Sequence, residues 1–342
     1  MRSIGKQLKV MRVDKTGSSA IRTEDIQELA SMNAELVGVN CANEDEIIEA
    51  AKDADIIITA QAPFTRRVIE ALPKCKVIIR NGVGYDVIDV DAATDNGIIV
   101  SNFPSPEWCV EEMSNHAIAL LLACAKKLVL QNNAVKEKCW GKKNMPAVMP
   151  MEPIHGQTLG VIGCGNIGRM IARKAQCFKL SILGYDPYVD KSLAKESGIT
   201  LVSLPELLKK SDFISISTLL NKETRHLIGE RELKLMKPSV YIINTARGAV
   251  IDEPALIKAL QEKRVAGAGL DVTEKEPINP DNPLLKMDNV IITPHSAPAS
   301  NAVPKRARTV MIQELARILS GQWPKNVVNK TVKPKINLVK AD

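Results

Sequence analysis

Residues 163–168 read Gly163-Cys-Gly165-Asn166-Ile167-Gly168, at the end of the predicted strand Gln157-Thr-Leu-Gly-Val-Ile-Gly163 and at the start of a helical pattern that begins at Asn166. Alone, G-x-G-x-x-G is a weak motif. Here its setting constrains it, because a second predicted strand, residues 180–186, ends at Asp186, 18 residues after the last glycine. Strand, glycine turn, helix, strand and acid in this order read as a βαβ unit whose helix N-terminus faces the crevice at the strand ends. Gly163 makes the turn, Gly165 lets the backbone approach a pyrophosphate, and Gly168 allows close helix–strand packing. The amides at the helix start, around Asn166 and Ile167, would hold phosphate oxygens. A carboxylate at Asp186 accepts both adenosine ribose hydroxyls and repels a 2′-phosphate, so NAD is expected over NADP. Tyr185 and Pro187 would flank the adenosine or serve only as packing residues. Arg169 has two readings, a pyrophosphate contact or a solvent-facing charge.

The rest of the chain repeats the same rhythm. Strands are expected near residues 8–13, 36–39, 55–59, 76–80 and 98–100, with helices from Glu44, near 66–72 and from Val90. Pro104 and Pro106 break the pattern and set a first boundary at about residue 103, ahead of one long helix over 110–139. A Pro- and Met-rich linker, residues 145–153, leads into a second series with strands at 157–163, 180–186, 213–217, 240–244, 268–272 and 290–293. Six or more buried parallel strands with helical crossovers make an α/β fold with a doubly wound sheet. A helix over 305–319 follows, and the Lys- and Asn-rich last residues read as a tail packed loosely on the surface.

At 342 residues the chain has room for two domains. Its 45% hydrophobic and 25% charged residues exclude disorder outside the termini. A formal charge of +7 is mild for this length and scattered, which argues against a nucleic-acid binder. The seven cysteines form no Cys-x-x-Cys pair and several fall in apolar runs, as expected of thiols in a reducing cytoplasm. The start lacks a signal-peptide apolar stretch, and the apolar run at 117–125 is far short of the roughly 20 residues that span a bilayer. Secretion and a membrane location are therefore not expected, and no His/Cys spacing suggests a metal site.

Three segments at predicted strand ends carry polar chemistry: Asn244-Thr245-Ala246-Arg247-Gly248, Gly269-Leu-Asp271-Val-Thr-Glu274-Lys-Glu276-Pro277, and Thr293-Pro-His295-Ser. Groups just beyond the carboxyl ends of an open α/β sheet converge on its ligand crevice. An arginine, a carboxylate and a histidine so placed could bind an anionic 2-oxo acid and deliver a proton, although Glu276 could equally be a solvated loop charge. The other histidines, His116, His155 and His226, read as structural or solvated.

Nearly the whole chain resembles the D-isomer-specific 2-hydroxyacid dehydrogenase family, from Arg80-Asn81-Gly82-Val83-Gly84-Tyr85-Asp86 through the glycine fingerprint to Arg247, Glu276, His295 and Asn326-Val-Val-Asn329. The resemblance implies two Rossmann-like domains with the active site in the cleft between them. Residues 1–103 would form the N-terminal part of a substrate domain, 104–294 the NAD-binding domain, and 295–342 a segment returning to the substrate domain. Arg247 would bind the substrate carboxylate and polarise its 2-oxo group, His295 would be the acid/base, and Glu276 would favour the charged histidine. The family spacing selects Glu276 and leaves Glu274 as a surface charge. Asp271 would orient the nicotinamide carboxamide, or act structurally at the strand end. Thr218, Thr245 and Ala246 would also line the cofactor, and the amides of Asn81, Gly82, Val83 and Gly84 would cradle the substrate carboxylate, along with Arg247 and His295.

Two segments depart from the family. Where it commonly has His-x-Pro, this chain has Ser217 and Thr218, and Trp108 lies where it could cap the substrate side chain. The resemblance implies an NAD-dependent oxidoreductase interconverting a 2-oxo acid and a D-2-hydroxy acid. D-3-phosphoglycerate dehydrogenase without a regulatory domain and glyoxylate/hydroxypyruvate reductase are the rival activities. A dinucleotide-sensing corepressor or scaffold is a third reading, opposed by the complete Arg247, Glu276 and His295 set. A homodimer is expected through the long helix, with Ile118, Leu121 and Leu122 at the interface or, alternatively, in the intrachain core.

Overall fold

Runs such as Ile56-Ile57-Ile58-Thr59 carry branched side chains on both sides of the strand, which suits a sheet covered on both faces. The computed structural model describes residues 7–15, 21–103, 106–146, 149, 151 and 153–339. The chain forms two compact units, Met1–Trp108 with Asn301–Asp342, and Cys109–Ser300. These divisions fall a few residues beyond the boundaries read from sequence, and they put His295 in the second unit.

The first unit runs β1 (Leu8–Asp14), α1 (Thr23–Ser31), β2 (Ala34–Asn40), α2 (Glu44–Ala51), β3 (Ile56–Thr59), α3 (Arg66–Glu70), β4 (Val77–Arg80), α4 (Val90–Asp95) and β5 (Ile99–Ser101). Its strands form one sheet in the order β2-β1-β3-β4-β5, with parallel neighbours. Side chains alternate along each strand, so Ile57 and Ile78 pack on one face with Ile47, Val68 and Ala92 of the helices. Ile56, Ile58 and Ile79 pack on the other, with Leu29.

The second unit contains most of α5 (Pro106–Ala125), then α6 (Leu128–Lys136), β6 (Thr158–Ile162), α7 (Asn166–Gln176), β7 (Ser181–Tyr185), α8 (Lys191–Glu196), β8 (Thr200–Leu201), α9 (Leu204–Lys210), β9 (Phe213–Ile216), α10 (Glu230–Leu235), β10 (Tyr241–Asn244), α11 (Glu253–Gln261), β11 (Gly267–Leu270) and β12 (Val290–Ile292). Its seven strands lie in the order β12-β11-β10-β9-β6-β7-β8. The sheet grows one way from β6 to β8 and the other way from β9 to β12. The switch point therefore lies between β6 and β9, directly below Gly163. Both units are doubly wound and parallel, the α/β architecture expected from sequence.

The structure corrects the single long helix. Lys126 donates to the Leu122 carbonyl, but Lys127 turns back to Cys124 with φ 49°. The helix bends by 63° there, and α6 starts afresh. Ile118 and Leu121 are buried against the second sheet and Leu122 packs beside them, so all three serve the intrachain core. The exposed apolar side chains nearby are instead Leu128, Val129 and Val135 on α6, together with Trp140.

The C-terminal return begins with α12 (Val303–Leu319), whose Met311, Ile312, Leu315 and Ile318 cover the Ile56/Ile58 face of the first sheet. The segment after it is not a loose tail. Asn329 is buried, and its amide donates to the Ile98 carbonyl at 2.9 Å and the Thr94 hydroxyl at 3.1 Å while accepting from the Val100 amide at 2.9 Å. It completes the edge of β5, where the backbone groups would otherwise be buried without partners. Residues 1–6, where a targeting signal was sought, lie outside the described residues together with Pro104, the Trp108 side chain and residues 340–342. Among the described residues no single helix is long and apolar enough to cross a membrane.

Candidate active site

The fingerprint loop follows β6 and opens α7. Gly163 has φ 89°, and a Cβ there would meet the Ser217 carbonyl carbon and the Thr218 amide at 2.7 Å. A Cβ at Gly168 would sit 2.0 Å from the Gly163 oxygen, whereas one at Gly165 would meet nothing within 4 Å. The first and last glycines are thus required by the protein's own packing, and the middle one faces open space at the start of α7. Asn166 and Ile167, the first residues of that helix, are half-buried beside it. This is the cradle a pyrophosphate requires: no side chain at the point of approach, and helix amides behind it.

Asp186 lies just past β7. Its Oδ2 accepts from the Cys164 amide at 2.8 Å, and its Oδ1 accepts from the Tyr188 and Val189 amides at 2.8 and 3.1 Å. The carboxylate is therefore fixed at the rim of the glycine loop, where an adenosine ribose would lie. Burial first, and then the Asp186 charge, push the Cys164 thiol up to about 12, so it remains a neutral packing group. Arg169 donates to the Cys164 carbonyl at 3.0 Å and to Asn166 Oδ1 at 2.8 Å, which folds it across the loop. Residues 163–168 and Asp186 fit a dinucleotide, with Thr218 adjoining Gly163 at the switch point.

The Arg247 loop leaves β10. Thr245 is buried, and Asn244 braces the turn by accepting from the Ala246 amide at 3.0 Å and donating to the Arg247 carbonyl at 2.9 Å. Arg247 Nη1 also donates to the Ala246 carbonyl at 2.8 Å. A Cβ at Gly248 would lie 2.0 Å from the Thr273 backbone, so only glycine lets this loop press against the one carrying Glu276.

Glu276 and His295 meet there. Glu276 Oε2 lies 2.7 Å from His295 Nδ1, and its Oε1 accepts from the Thr273 amide at 3.2 Å. Burial works to raise Glu276, but the His295 hydrogen bond and charge, the Thr273 amide and the Arg247 charge hold it below the ordinary carboxylate value. A carboxylate against Nδ1 leaves Nε2 as the ring nitrogen that can face a ligand. The neighbouring acid behaves differently: Glu274 pairs with His226 Nε2 at 2.8 Å. His155 is exposed.

Asp271 is buried at the end of β11, and its carboxylate is largely committed to the histidine loop. Oδ1 accepts from the Thr293 hydroxyl at 2.6 Å and the Ser296 amide at 2.9 Å, and Oδ2 accepts from the Ala297 amide at 2.8 Å. His116 Nε2 lies 2.9 Å from Thr293 Oγ1. Sequence reasoning passed over this His116 contact, since 177 residues separate the partners and no motif links them.

In the first unit, residues 81–84 follow β4. The Asn81 amide is occupied by the Thr59 carbonyl at 2.7 Å and the Gly82 amide by the Arg80 carbonyl at 2.9 Å. Gly82 has φ 154°, and Arg80 folds beneath it with Nη1 donating to the Asn81 carbonyl at 3.0 Å. The expectation that amides from Asn81 onward receive an anion therefore narrows, because among the described residues only the Val83 and Gly84 amides in this stretch lack an acceptor.

Comparison with known proteins agrees with this geometry. The family profile described as "D-isomer specific 2-hydroxyacid dehydrogenase, NAD binding domain" matches residues 118–297. The chain is 42% identical over 287 residues to the glyoxylate reductase of Korarchaeum cryptofilum, which covers 84% of this chain and 86% of that protein. It is 41% identical over 287 residues to the D-3-phosphoglycerate dehydrogenase of Methanocaldococcus jannaschii, covering 83% of this chain but 53% of that one, so it spans about half the relative's length. Among solved structures, a glyoxylate reductase from Paecilomyes thermophila has a TM-score of 0.84 and 31% identity, covering 94% of this chain and 98% of that chain. With the fingerprint and the Arg247, Glu276 and His295 set in one unit, the chain belongs to the D-isomer-specific 2-hydroxyacid dehydrogenases, NAD-dependent oxidoreductases that interconvert 2-oxo and 2-hydroxy acids.

Proposed function

We propose that this enzyme reduces a small 2-oxo acid, glyoxylate or hydroxypyruvate, to the corresponding 2-hydroxy acid, the product from hydroxypyruvate being the D isomer. The observation that carries the reading is the 2.7 Å contact between Glu276 Oε2 and His295 Nδ1. Residues 163–168 would hold the pyrophosphate, Asp186 the adenosine ribose, and Thr218, Thr245 and Ala246 the nicotinamide end, while the buried Asp271 carboxylate braces the histidine loop. Bound NADH supplies the hydride for C2. Arg247 binds the substrate carboxylate and draws electron density toward the 2-oxo oxygen, its planar fork matching two oxygens at once. His295 gives its Nε2 proton to that oxygen, and Glu276 stabilises the imidazolium that must be present beforehand.

The match to a glyoxylate reductase of nearly equal extent supports the small substrate. A second reading, 3-phosphohydroxypyruvate, is supported by the 41% identity to a phosphoglycerate dehydrogenase. NADH oxidation with glyoxylate, hydroxypyruvate, 3-phosphohydroxypyruvate and pyruvate separates them. The highest kcat/KM is expected for one of the first two, and a preference of tenfold or more for the phosphorylated acid would replace the first reading by the second.

We also propose a homodimer, with Leu128, Val129 and Val135 of α6 and Trp140 in the interface, since large apolar side chains are grouped there in contact with solvent. Sedimentation should give twice the chain mass, and Leu128→Glu should shift it toward the monomer. A cytoplasmic location is supported by seven cysteines that are all free.

A further inference from the structure

His116 projects from α5 toward the loop that carries His295. Its Nε2 lies 2.9 Å from Thr293 Oγ1 and 3.4 Å from Asp271 Oδ1, with the imidazole three-quarters buried. The Thr293 hydroxyl has one proton, and at 2.6 Å that proton goes to the Asp271 carboxylate, which can only accept. Thr293 Oγ1 must then accept from His116, which fixes the proton of His116 on Nε2. The chain of donors runs His116 to Thr293 to Asp271, and each bond polarises the next.

The same carboxylate receives the Ser296 and Ala297 amides, while the His295 amide donates to the Asp271 carbonyl at 2.8 Å. His295 itself has φ 51°, a left-handed conformation that a non-glycine residue keeps only when its neighbours enforce it. Its loop is held on both sides: Thr293 two residues before, and Ser296 and Ala297 after. Glu276 orients the ring, but the backbone beneath the ring depends on Asp271 and on what holds Thr293 against it.

We propose that His116 is a positioning residue for catalysis: through Thr293 and Asp271 it locks the backbone of the His295 loop, and so the place from which the His295 proton is delivered. This rests on His295 being the acid/base. Losing the Nε2 donor leaves a lone pair of Thr293 unsatisfied and frees the hydroxyl to rotate from Asp271. A displacement of the proton donor by about 1 Å is enough to cost roughly 100-fold in rate.

The test compares His116→Leu, which removes the donor at similar volume, with His116→Gln, whose amide can donate to Thr293. Amide hydrogen exchange of residues 295–297 is measured on the chain alone, and kcat and KM for glyoxylate with NADH are measured alongside NADH binding. Leu should speed exchange at those amides about tenfold or more and lower kcat by a similar factor, with KM and NADH affinity within twofold. Gln should restore most of both. Thr293→Val, which cuts the chain at its next link, should copy Leu, and combining it with His116→Leu should add nothing; it serves also should the Leu variant fail to fold. Unchanged exchange in Leu and Val, equal impairment by Leu and Gln, or additive losses would overturn the proposal. Wild-type protein inactive on every 2-oxo acid tested would defeat the acid/base reading, whereas the exchange result judges the positioning network by itself.

Discussion

Glu276 and His295 stand 19 residues apart on separate loops, yet the carboxylate of one lies 2.7 Å from Nδ1 of the other. The contact exists because Gly248 lets the Arg247 loop seat against Thr273, whose amide steadies Glu276. Replacing Glu276 by Gln keeps the shape and removes the charge. Reduction by the E276Q variant should fall at least tenfold, since the ring loses the carboxylate that orients it through Nδ1. A kcat/KM within threefold of the wild type's in a folded variant would contradict this.

The same group gives a stability prediction. Glu276 is held below its unfolded value, so its contribution is present above the ordinary carboxylate range and disappears as pH falls through the depressed value. Because more than a third of the side chain is exposed, screening limits the effect to about 1 kcal/mol or less. Urea unfolding at pH 7 should show E276Q slightly less stable, and the difference should close as the pH falls below the depressed carboxylate value.

Removing the imidazole should act on chemistry and spare the cofactor. For His295→Ala we expect kcat to fall about 10²–10⁴-fold, while NADH affinity, followed by fluorescence, changes by less than threefold. Turnover within threefold of wild type in a folded variant would remove His295 from its role.

Asp186 should govern the choice of cofactor. Its carboxylate sits on the Cys164 amide at the rim of the fingerprint. Asp186→Gly removes the proposed ribose acceptor and the charge that would oppose a 2′-phosphate, so KM for NADH should rise at least tenfold and the NADH/NADPH preference should shrink. An unaltered preference would count against the ribose contact.

Asn329 is a structural test away from the chemistry. Asn329→Ala leaves the Val100 amide and Ile98 carbonyl without their buried partner. A loss of roughly 1–3 kcal/mol is expected, read as a lower denaturant midpoint with kcat near that of the wild type.

The glycine fingerprint, the parallel strands and the strand-end residues were legible because each obeys a local rule of spacing or periodicity. The two acids of that stretch have different partners, His295 for Glu276 and His226 for Glu274, and the second pairing has no signal in the spacing. The break between α5 and α6 was not legible, since Lys126 and Lys127 are good helix formers and Lys127 adopts its left-handed conformation without a glycine or proline to announce it. Asn329 looked like part of a polar tail, because the unpaired edge of β5 that it satisfies lies more than 200 residues earlier. His116 was passed over for the same reason: its partner Thr293 is brought to it only by the stacking of α5 on the second sheet.

The most direct measurement is the stereochemistry of reduction. Wild-type protein is incubated with NADH and hydroxypyruvate or pyruvate, and the product is resolved on a chiral column. NADH oxidation should be matched mole for mole by D-glycerate or D-lactate. Formation of the L isomer, or no oxidation with any 2-oxo acid while NADH binds tightly, would contradict it.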